Sequence, residues 1–143
     1  MIKDVLITKL DVIDAPGGDV MHAIKKTSDG YSGFGEAYFS KIESGAIKAW
    51  KRHRSMTLNL VVPIGRIKFV LYDDREAISS QLQKVIISEK EYFRLTIPPM
   101  IWVGFQGLSS NESMLLNIAN MEHDPSEADR LDLNDIDYNW STD

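Results

Sequence analysis

Residues 57–72 read TLNLVVPIGRIKFVLY, two runs of alternating polar and apolar side chains joined by Pro63-Ile64-Gly65. A period of two places successive side chains on opposite faces of a β-strand, so each run presents one apolar face. Pro fixes its own φ and Gly accepts a positive φ, and together they favour a tight turn. We therefore predict two strands, Thr57–Val62 and Arg66–Tyr72, that pair as a hairpin.

The same rhythm extends outward from this stretch, from Asp19 to Asn117, as short apolar runs separated by Gly, Pro, Ser and Asp. The predicted strands are Val20–Lys26, Gly35–Ile42, Ala46–Arg52, Thr57–Val62, Arg66–Tyr72, Leu82–Ser88, Tyr92–Ile97, Trp102–Gln106 and Met114–Ala119. Many short strands without a long helical pattern between them favour a sandwich or a barrel, which protect the edges of their sheets. We expect an all-β fold in a single domain over residues 1–143.

Composition excludes several classes of function. The chain has 16 basic and 21 acidic residues, and its net charge of -5 argues against binding to nucleic acid or to an anionic membrane. Cysteine is absent, which excludes disulfides, a thiolate nucleophile and a zinc–thiolate site. No stretch approaches the roughly 20 apolar residues of a membrane-spanning helix, and a cytoplasmic location is therefore expected.

The chain changes character at His123. Asp124 followed by Pro125 is typical of a short helical turn, because Asp caps the first turn and Pro fits its first position. An acidic segment follows and closes on Tyr138-Asn139-Trp140.

Three segments carry a family resemblance: GAIKAWKRH at residues 45–53, IPPMIWVGF at residues 97–105, and the tail from His123 to Trp140. In order and spacing they resemble the dTDP-4-dehydrorhamnose 3,5-epimerases, over a span from about Gly35 to Trp140. The resemblance implies a cupin jelly-roll barrel, usually homodimeric, that acts on a nucleotide-linked 4-keto-6-deoxyhexose as an epimerase or isomerase in deoxysugar or surface-polysaccharide biosynthesis.

The resemblance also locates the positions where general cupins bind a metal. They fall on Lys51, His53, Thr57 or Leu58, and Val103. One imidazole does not hold a divalent transition metal against water, because such sites need three or more protein ligands. We therefore expect neither a metal nor another cofactor.

Catalytic candidates follow from the same motif. The family's histidine base falls on Lys51, and His53, two residues further along the strand, points to the same side. Epimerisation next to a ketone needs a base, a donor for the enolate and an acid that returns the proton. We predict His53 as the base, Lys51 or Lys48 as the cation that faces the enolate, and Tyr72 or His123 as the acid.

Two family features have no counterpart at the expected places. The resemblance implies a tyrosine acid, but that position falls on Glu122 or His123. It also implies an aspartate near the C-terminus that pairs with the base, and the sequence reaches Asp143 without that segment.

Substrate-binding candidates complete the set. Arg52, Arg54 and Arg66 are the basic cluster closest to the motif and are predicted to hold the pyrophosphate, and Lys48 is a further substrate-binding candidate. Asn59 is predicted either to line the mouth of the barrel or to face water, and Trp102 either to stack on the nucleobase or to fill the core.

Purely structural interpretations of these residues remain open. The basic side chains of residues 48–54 also fit a solvated strand edge that discourages aggregation. Two other functions remain open as well: a cupin that binds a sugar nucleotide without catalysis, and a structural dimer with an empty barrel.

Overall fold

The computed structural model describes residues 1–142 and consists of two five-stranded antiparallel sheets packed face to face. The twelve strands are β1 (Leu6–Lys9), β2 (Val12–Ile13), β3 (Val20–Met21), β4 (Glu36–Ile42), β5 (Ile47–His53), β6 (Leu58–Ile64), β7 (Arg66–Asp73), β8 (Gln81–Ser88), β9 (Phe93–Ile97), β10 (Trp102–Gly107), β11 (Ser113–Ala119) and β12 (Ala128–Arg130). Two 3₁₀ turns, Pro125–Glu127 and Leu133–Asp135, flank β12. The prediction of an all-β jelly roll is confirmed.

The strand order defines two walls. The first sheet runs β1-β9-β6-β11-β4 and the second sheet runs β12-β5-β10-β7-β8, while β2 and β3 form a separate ladder. Apart from β7 and β8, neighbours in each sheet come from distant parts of the chain, which is typical of a jelly roll. As a result β5, with the basic motif, lies opposite strands of the first sheet rather than beside them.

The main core fills the space between the sheets. The alternating apolar side chains of β6 and β7 meet there, and Val62, Ile67, Phe69 and Leu71 are completely or almost completely buried. This inward set comes from the period-two pattern of residues 57–72, and it continues along β8, β9 and β11.

The outer faces of both sheets are also covered. On the second sheet, the C-terminal segment packs Ile136 and Trp140 against Trp50, Val70 and Trp102. Residues 22–30 cover the first sheet in the same way. Polar positions of the alternation are therefore buried under these segments instead of facing water.

Two buried cations hold the covering segments. The guanidinium of Arg94 donates to the carbonyl oxygens of Ala23 and Asp29 over the first sheet. On the second sheet, the ammonium of Lys68 donates to the carbonyl oxygens of Trp140 and Thr142. Buried charges at these positions are tolerated because backbone oxygens satisfy them.

The predicted hairpin of residues 57–72 is wrong. β6 pairs with β9 and β11, whereas β7 pairs with β8 and β10 in the other sheet. Gly65, with a φ of 87°, makes a corner at which the chain leaves one sheet for the other. The two apolar faces therefore meet across the core.

Other strand boundaries differ by a few residues, with four larger differences. The strand predicted at Val20–Lys26 is limited to Val20–Met21, because the following residues turn to cover the first sheet. Strands β1, β2 and β12 were absent from the prediction. The helical turn at Asp124 is confirmed as a 3₁₀ turn, in which the Asp124 carboxylate accepts from the Ser126 N–H.

Gly104 tests the packing that covers the second sheet. A Cβ at this position would lie 2.7 Å from Ala49 Cβ and 2.9 Å from Trp140 Cη2. We expect Gly104→Ala to lower the free energy of unfolding by about 1–3 kcal/mol, the usual cost of overpacking. Adding Ala49→Gly removes the nearest contact and should restore part of the loss. Urea denaturation of the three variants would measure this, and a Gly104→Ala protein as stable as the wild type would contradict it.

Candidate active site

A cavity of about 700 Å³ opens between the two sheets along β5, from Lys48 to His53. Its walls are β4, β6 and β11 on one side, β5 and β10 on the other, and the C-terminal segment at its mouth. The polar residues that line it are Tyr38, Ser40, Lys48, Lys51, His53, Asn117, Arg130, Asp132 and Asp135, and the apolar ones include Leu58, Leu60, Val103, Phe105 and Leu115.

An irregularity in β5 places three basic side chains in this cavity. Lys48 pairs with Phe105 and Lys51 pairs with Val103, so two residues of β5 lie opposite one residue of β10. Without this extra residue, side chains three apart on a strand would point to opposite faces. The bulge turns Lys48 and Lys51 to the same side, and His53 follows Lys51 by the normal period.

His53 is held by a carboxylate. Its Nδ1 is hydrogen-bonded to Oε1 of Glu127, which lies in the 3₁₀ turn before β12. The other carboxylate oxygen accepts the N–H groups of Ser55 at 3.1 Å and Met56 at 3.2 Å. A carboxylate only accepts, so Nδ1 carries the proton and Nε2 has the free lone pair that a base needs.

The hydrogen bonds also fix the charge of Glu127. Burial by itself would raise its pKa, but the hydrogen bonds from His53 and from the two backbone N–H groups outweigh burial and lower the pKa below its ordinary value. Glu127 is therefore ionised at neutral pH and stabilises a positive charge on the imidazole of His53.

Lys51 lies beside this pair. Burial and, to a smaller extent, the charge of Arg130 lower its pKa, while Glu127 acts in the opposite direction. Arg130 is the direct strand partner of Lys51, since β12 pairs with β5. Lys48 is more exposed; its ammonium donates to the Lys41 carbonyl oxygen at 2.7 Å and lies 5.9 Å from the centre of the Phe105 ring.

Comparison with known proteins gives this geometry a context. No family model matches the chain. The probable low-salt glycan biosynthesis epimerase Agl13 of Haloferax volcanii is 30% identical over 132 residues, which make up 90% of this chain and 85% of the relative. The crystal structure of a dTDP sugar isomerase from Desulfovibrio desulfuricans G20 is 35% identical, with a TM-score of 0.93 over 99% of this chain and 94% of that one. The chain belongs to this cupin family of sugar epimerases and isomerases.

A more distant member shows the fold alone. The dTDP-4-dehydrorhamnose 3,5-epimerase of Elizabethkingia anophelis NUHP1 is 17% identical, with a TM-score of 0.80 over 99% of this chain and 83% of that one. The identity to Agl13 confirms the resemblance of the segments from residue 45 to the C-terminal tail as membership of the epimerase and isomerase family.

The structure of this chain brings only part of the predicted site together. His53, Lys51 and Lys48 line the cavity. Tyr72 instead packs on the outer face of the second sheet, in the cluster around Trp102. His123 is exposed and does not line the cavity. Neither of these two predicted acids therefore reaches the base.

The predicted pyrophosphate cluster is also dispersed. Arg52 lies 4.5 Å from the Trp102 ring on the outer face, and both Arg52 and Arg54 bind the carboxylate of Asp129. In the structure both arginines fasten β12 to β5, and Trp102 packs against Arg52. Arg66 begins β7, at the end of the second sheet remote from His53.

Asn59 points away from the cavity. Its side chain donates to the Gly30 carbonyl oxygen and accepts from Arg94 and from the hydroxyl of Thr96. The polar face of β6 is therefore buried under residues 22–30, and the cavity is lined by the apolar face, through Leu58 and Leu60.

Sequence reasoning missed Glu127 and Tyr38. Glu127 pairs with His53, as the resemblance implies for an aspartate near the C-terminus, and it comes from the Asp124 turn, which the sequence did reveal. Tyr38 lies on the inward face of β4, next to Asn117 of β11. Tyr38 and Ser40 are two residues apart and both point inward from β4. This period of two was the signal in the sequence that could have identified Tyr38.

Two further observations concern the described part of the chain. Residues 1–142 contain no group of three or more His, Cys, Asp or Glu side chains that could hold a metal ion. Over the same residues, no helix has the length and apolar character needed to cross a bilayer.

The lowered pKa of Glu127 predicts how stability depends on pH. Its contribution is fully present above the ordinary value of 4.5 and is lost as the pH falls through the lowered pKa. Glu127→Gln should cost about 1–3 kcal/mol near neutral pH, and this difference from the wild type should shrink in acid. Thermal melts from pH 7 to pH 3 would show it. Exposed Glu122→Gln is the control, and a difference that grows in acid would contradict the assignment.

Proposed function

We propose that this protein is a metal-independent epimerase or isomerase of nucleotide-linked 4-keto-6-deoxyhexoses, in the biosynthesis of deoxysugars or surface polysaccharides. The observation that supports this most directly is the imidazole of His53, oriented by Glu127 and open to the cavity next to Lys51. The names of the relatives, a dTDP sugar isomerase and a glycan biosynthesis epimerase, support the class of substrate.

The proposed reaction begins with proton removal beside the ketone. Nε2 of His53 takes the proton from the carbon next to the C4 carbonyl, and the electron pair of the C–H bond moves to the carbonyl oxygen as an enolate. Glu127 stabilises the imidazolium that forms, as a carboxylate does for any histidine base. The hydrogen bonds from Ser55 and Met56 keep that carboxylate in place.

We propose that the ammonium of Lys51 donates to the enolate oxygen. Side chains two residues apart on one face of a strand are about 7 Å apart. At that separation His53 can reach the α-carbon of the sugar while Lys51 reaches the oxygen of the adjacent carbonyl. The lowered pKa of Lys51 makes its ammonium a stronger donor to that oxygen. The apolar floor formed by Leu58, Leu60 and Leu115 strengthens this electrostatic interaction by excluding water.

The rest of the ligand fits the mouth of the cavity. A volume of about 700 Å³ lies within the usual range for a small-molecule site. Arg130 and Lys48 place two cations near the opening, where a diphosphate would lie. Arg130 thus takes the role that the sequence suggested for Arg52 and Arg54.

The assembly and location of the protein stay predictions. The homodimer implied by the family resemblance would be consistent with the large apolar side chains exposed on edge strand β4 and on β2 and β3, among them Phe39, Ile13 and Val20. A cytoplasmic location fits a reaction on nucleotide-linked sugars.

Replacement of His53 tests the proposed reaction. Incubation with dTDP- and GDP-linked 4-keto-6-deoxyhexoses in deuterated water should place deuterium at C3 or C5, followed by NMR against a sample without enzyme. His53→Asn should slow this exchange about 10²- to 10⁴-fold, the usual contribution of a general base. His22→Asn, outside the cavity, is the matched control. Exchange at the wild-type rate in a folded His53→Asn protein would exclude His53 as the base.

Replacement of Lys51 tests the stabilisation of the enolate. Lys51→Ala should lower kcat about 100-fold or more, because it removes the cation that faces the developing negative charge. Lys84→Ala, exposed on β8, removes the same charge from the surface of the second sheet and should leave the rate unchanged. An unaltered kcat in Lys51→Ala would exclude this role, whatever happens to KM.

A further inference from the structure

A second, smaller cavity lies on the outer face of the first sheet. It has a volume of about 190 Å³ and is enclosed between the end of β1 and the segment of residues 22–29 that covers this sheet. Arg94 of β9 also lines it. The candidate active site shares no lining residue with this cavity. A ligand bound here would therefore be separate from the sugar nucleotide.

Arg94 brings a buried positive charge to this cavity. The residue is 1% exposed, and no carboxylate among residues 1–142 lies within ion-pairing distance of it. Burial lowers the pKa of its guanidinium, while the more distant charge of Asp29 acts in the opposite direction. Buried charges in proteins are normally paired, because neutral acceptors replace water without balancing the charge. An anion in the cavity would supply the missing partner.

The guanidinium also has donors left over. Nε donates to Asn59 Oδ1 at 3.2 Å, Nη1 to the Ala23 carbonyl oxygen at 2.9 Å and Nη2 to the Asp29 carbonyl oxygen at 2.9 Å. These bonds use three of the five N–H groups of a guanidinium. Within the described chain, the remaining N–H on each Nη has no acceptor. Two adjacent N–H groups of this kind suit the oxygens of a phosphate.

The other charges of the cavity lie nearer to solvent. Lys9 and Lys25 line it with Arg94, and so do the carboxylates of Asp11 and Asp29. All four of these other residues are exposed, so water screens their charges. The buried end of the cavity is therefore positive, and the flexible lysine side chains can reach an anion from its opening.

The walls of the cavity are held in place by the protein itself. The His22 N–H donates to the Asp11 carbonyl oxygen at 3.0 Å, and the His22 carbonyl oxygen accepts the Tyr92 hydroxyl at 2.8 Å. The Lys25 N–H donates to Ser28 Oγ, and the Ser28 N–H donates back to the Lys25 carbonyl oxygen, both at 2.9 Å. Walls fixed in this way lower the entropic cost of binding a ligand.

We propose that this cavity is a second binding site, for a phosphate group held by the buried guanidinium of Arg94 and by the ammonium groups of Lys9 and Lys25. The volume of about 190 Å³ suits inorganic phosphate or the phosphate of a small ester. It is below the roughly 300–1,000 Å³ of sites for larger ligands such as a nucleotide sugar. Because Arg94 also holds residues 22–30 on the sheet, a bound phosphate stabilises that covering segment.

Titration with inorganic phosphate, followed through the Nε–H signal of Arg94 by NMR, tests the site directly. We expect a saturable shift of this signal. Lys9→Ala/Lys25→Ala should raise the Kd about 10-fold, because two charge-assisted contacts are lost. Lys3→Ala/Lys84→Ala removes the same charge from exposed positions elsewhere and should bind as the wild type does. Arg94 is kept in all variants, since its loss would also release the covering segment.

Two phosphate sources and a salt control complete the experiment. A saturable shift with inorganic phosphate, with glycerol phosphate or with both supports the site and shows which form it accepts. The proposal is overturned by a shift that chloride produces equally at the same ionic strength, by one that never saturates, or by one unchanged in Lys9→Ala/Lys25→Ala. Phosphate shifts confined to the candidate active site would overturn it as well. All of these results leave the proposed function untouched, because the two cavities share no residue.

Discussion

The carboxylate of Glu127 is the group on which the arrangement of the site depends. It is buried, and its two oxygens are satisfied by the imidazole of His53 and by the N–H groups that follow β5. Such a charge is stable in the interior only because every acceptor site facing the protein is occupied. The bond therefore fixes the tautomer of His53, the path of the chain after β5 and the position of β12 at the same time.

Strand β12 extends this constraint to the mouth of the cavity. Its pairing with β5 brings Arg130 beside Lys51, and Asp129 is held on the other face by Arg52 and Arg54. Residues on alternate faces of one short strand thus perform different tasks. Asp129, which faces outward, fastens the strand, and Arg130 lines the cavity.

The sequence predicted the strands well and their pairing poorly, for a physical reason. A period of two reports which face of a strand is apolar, and it located nine of the twelve strands. It does not report which strand is the neighbour. The apolar faces of β6 and β7 meet across the core, but the same alternation would arise if the two strands were neighbours in one sheet. For the same reason the alternation does not show that Asn59 and Lys68, which lie on its polar faces, are buried under chain segments from distant parts of the sequence.

The site was predictable where one strand carries it. Lys51 and His53 followed from the motif in β5, but Lys48 shares their face only because of a bulge opposite β10, a feature of pairing and not of pattern. Glu127 and Tyr38 come from strands and turns far away in the sequence, and only the topology brings them to His53. Arg52, Arg54 and Trp102 lie within the same motifs yet face outward, so proximity in sequence was misleading for them.

The separation of His53 and Glu127 by 74 residues bears on how the protein matures during synthesis. When β5 leaves the ribosome, its imidazole has no carboxylate and Trp50 has no cover, because Glu127, Ile136 and Trp140 follow much later in the chain. Both deficits end together, when residues 127–140 dock. The same C-terminal segment therefore supplies both the cover of Trp50 and Trp102 and the carboxylate that orients the His53 imidazole.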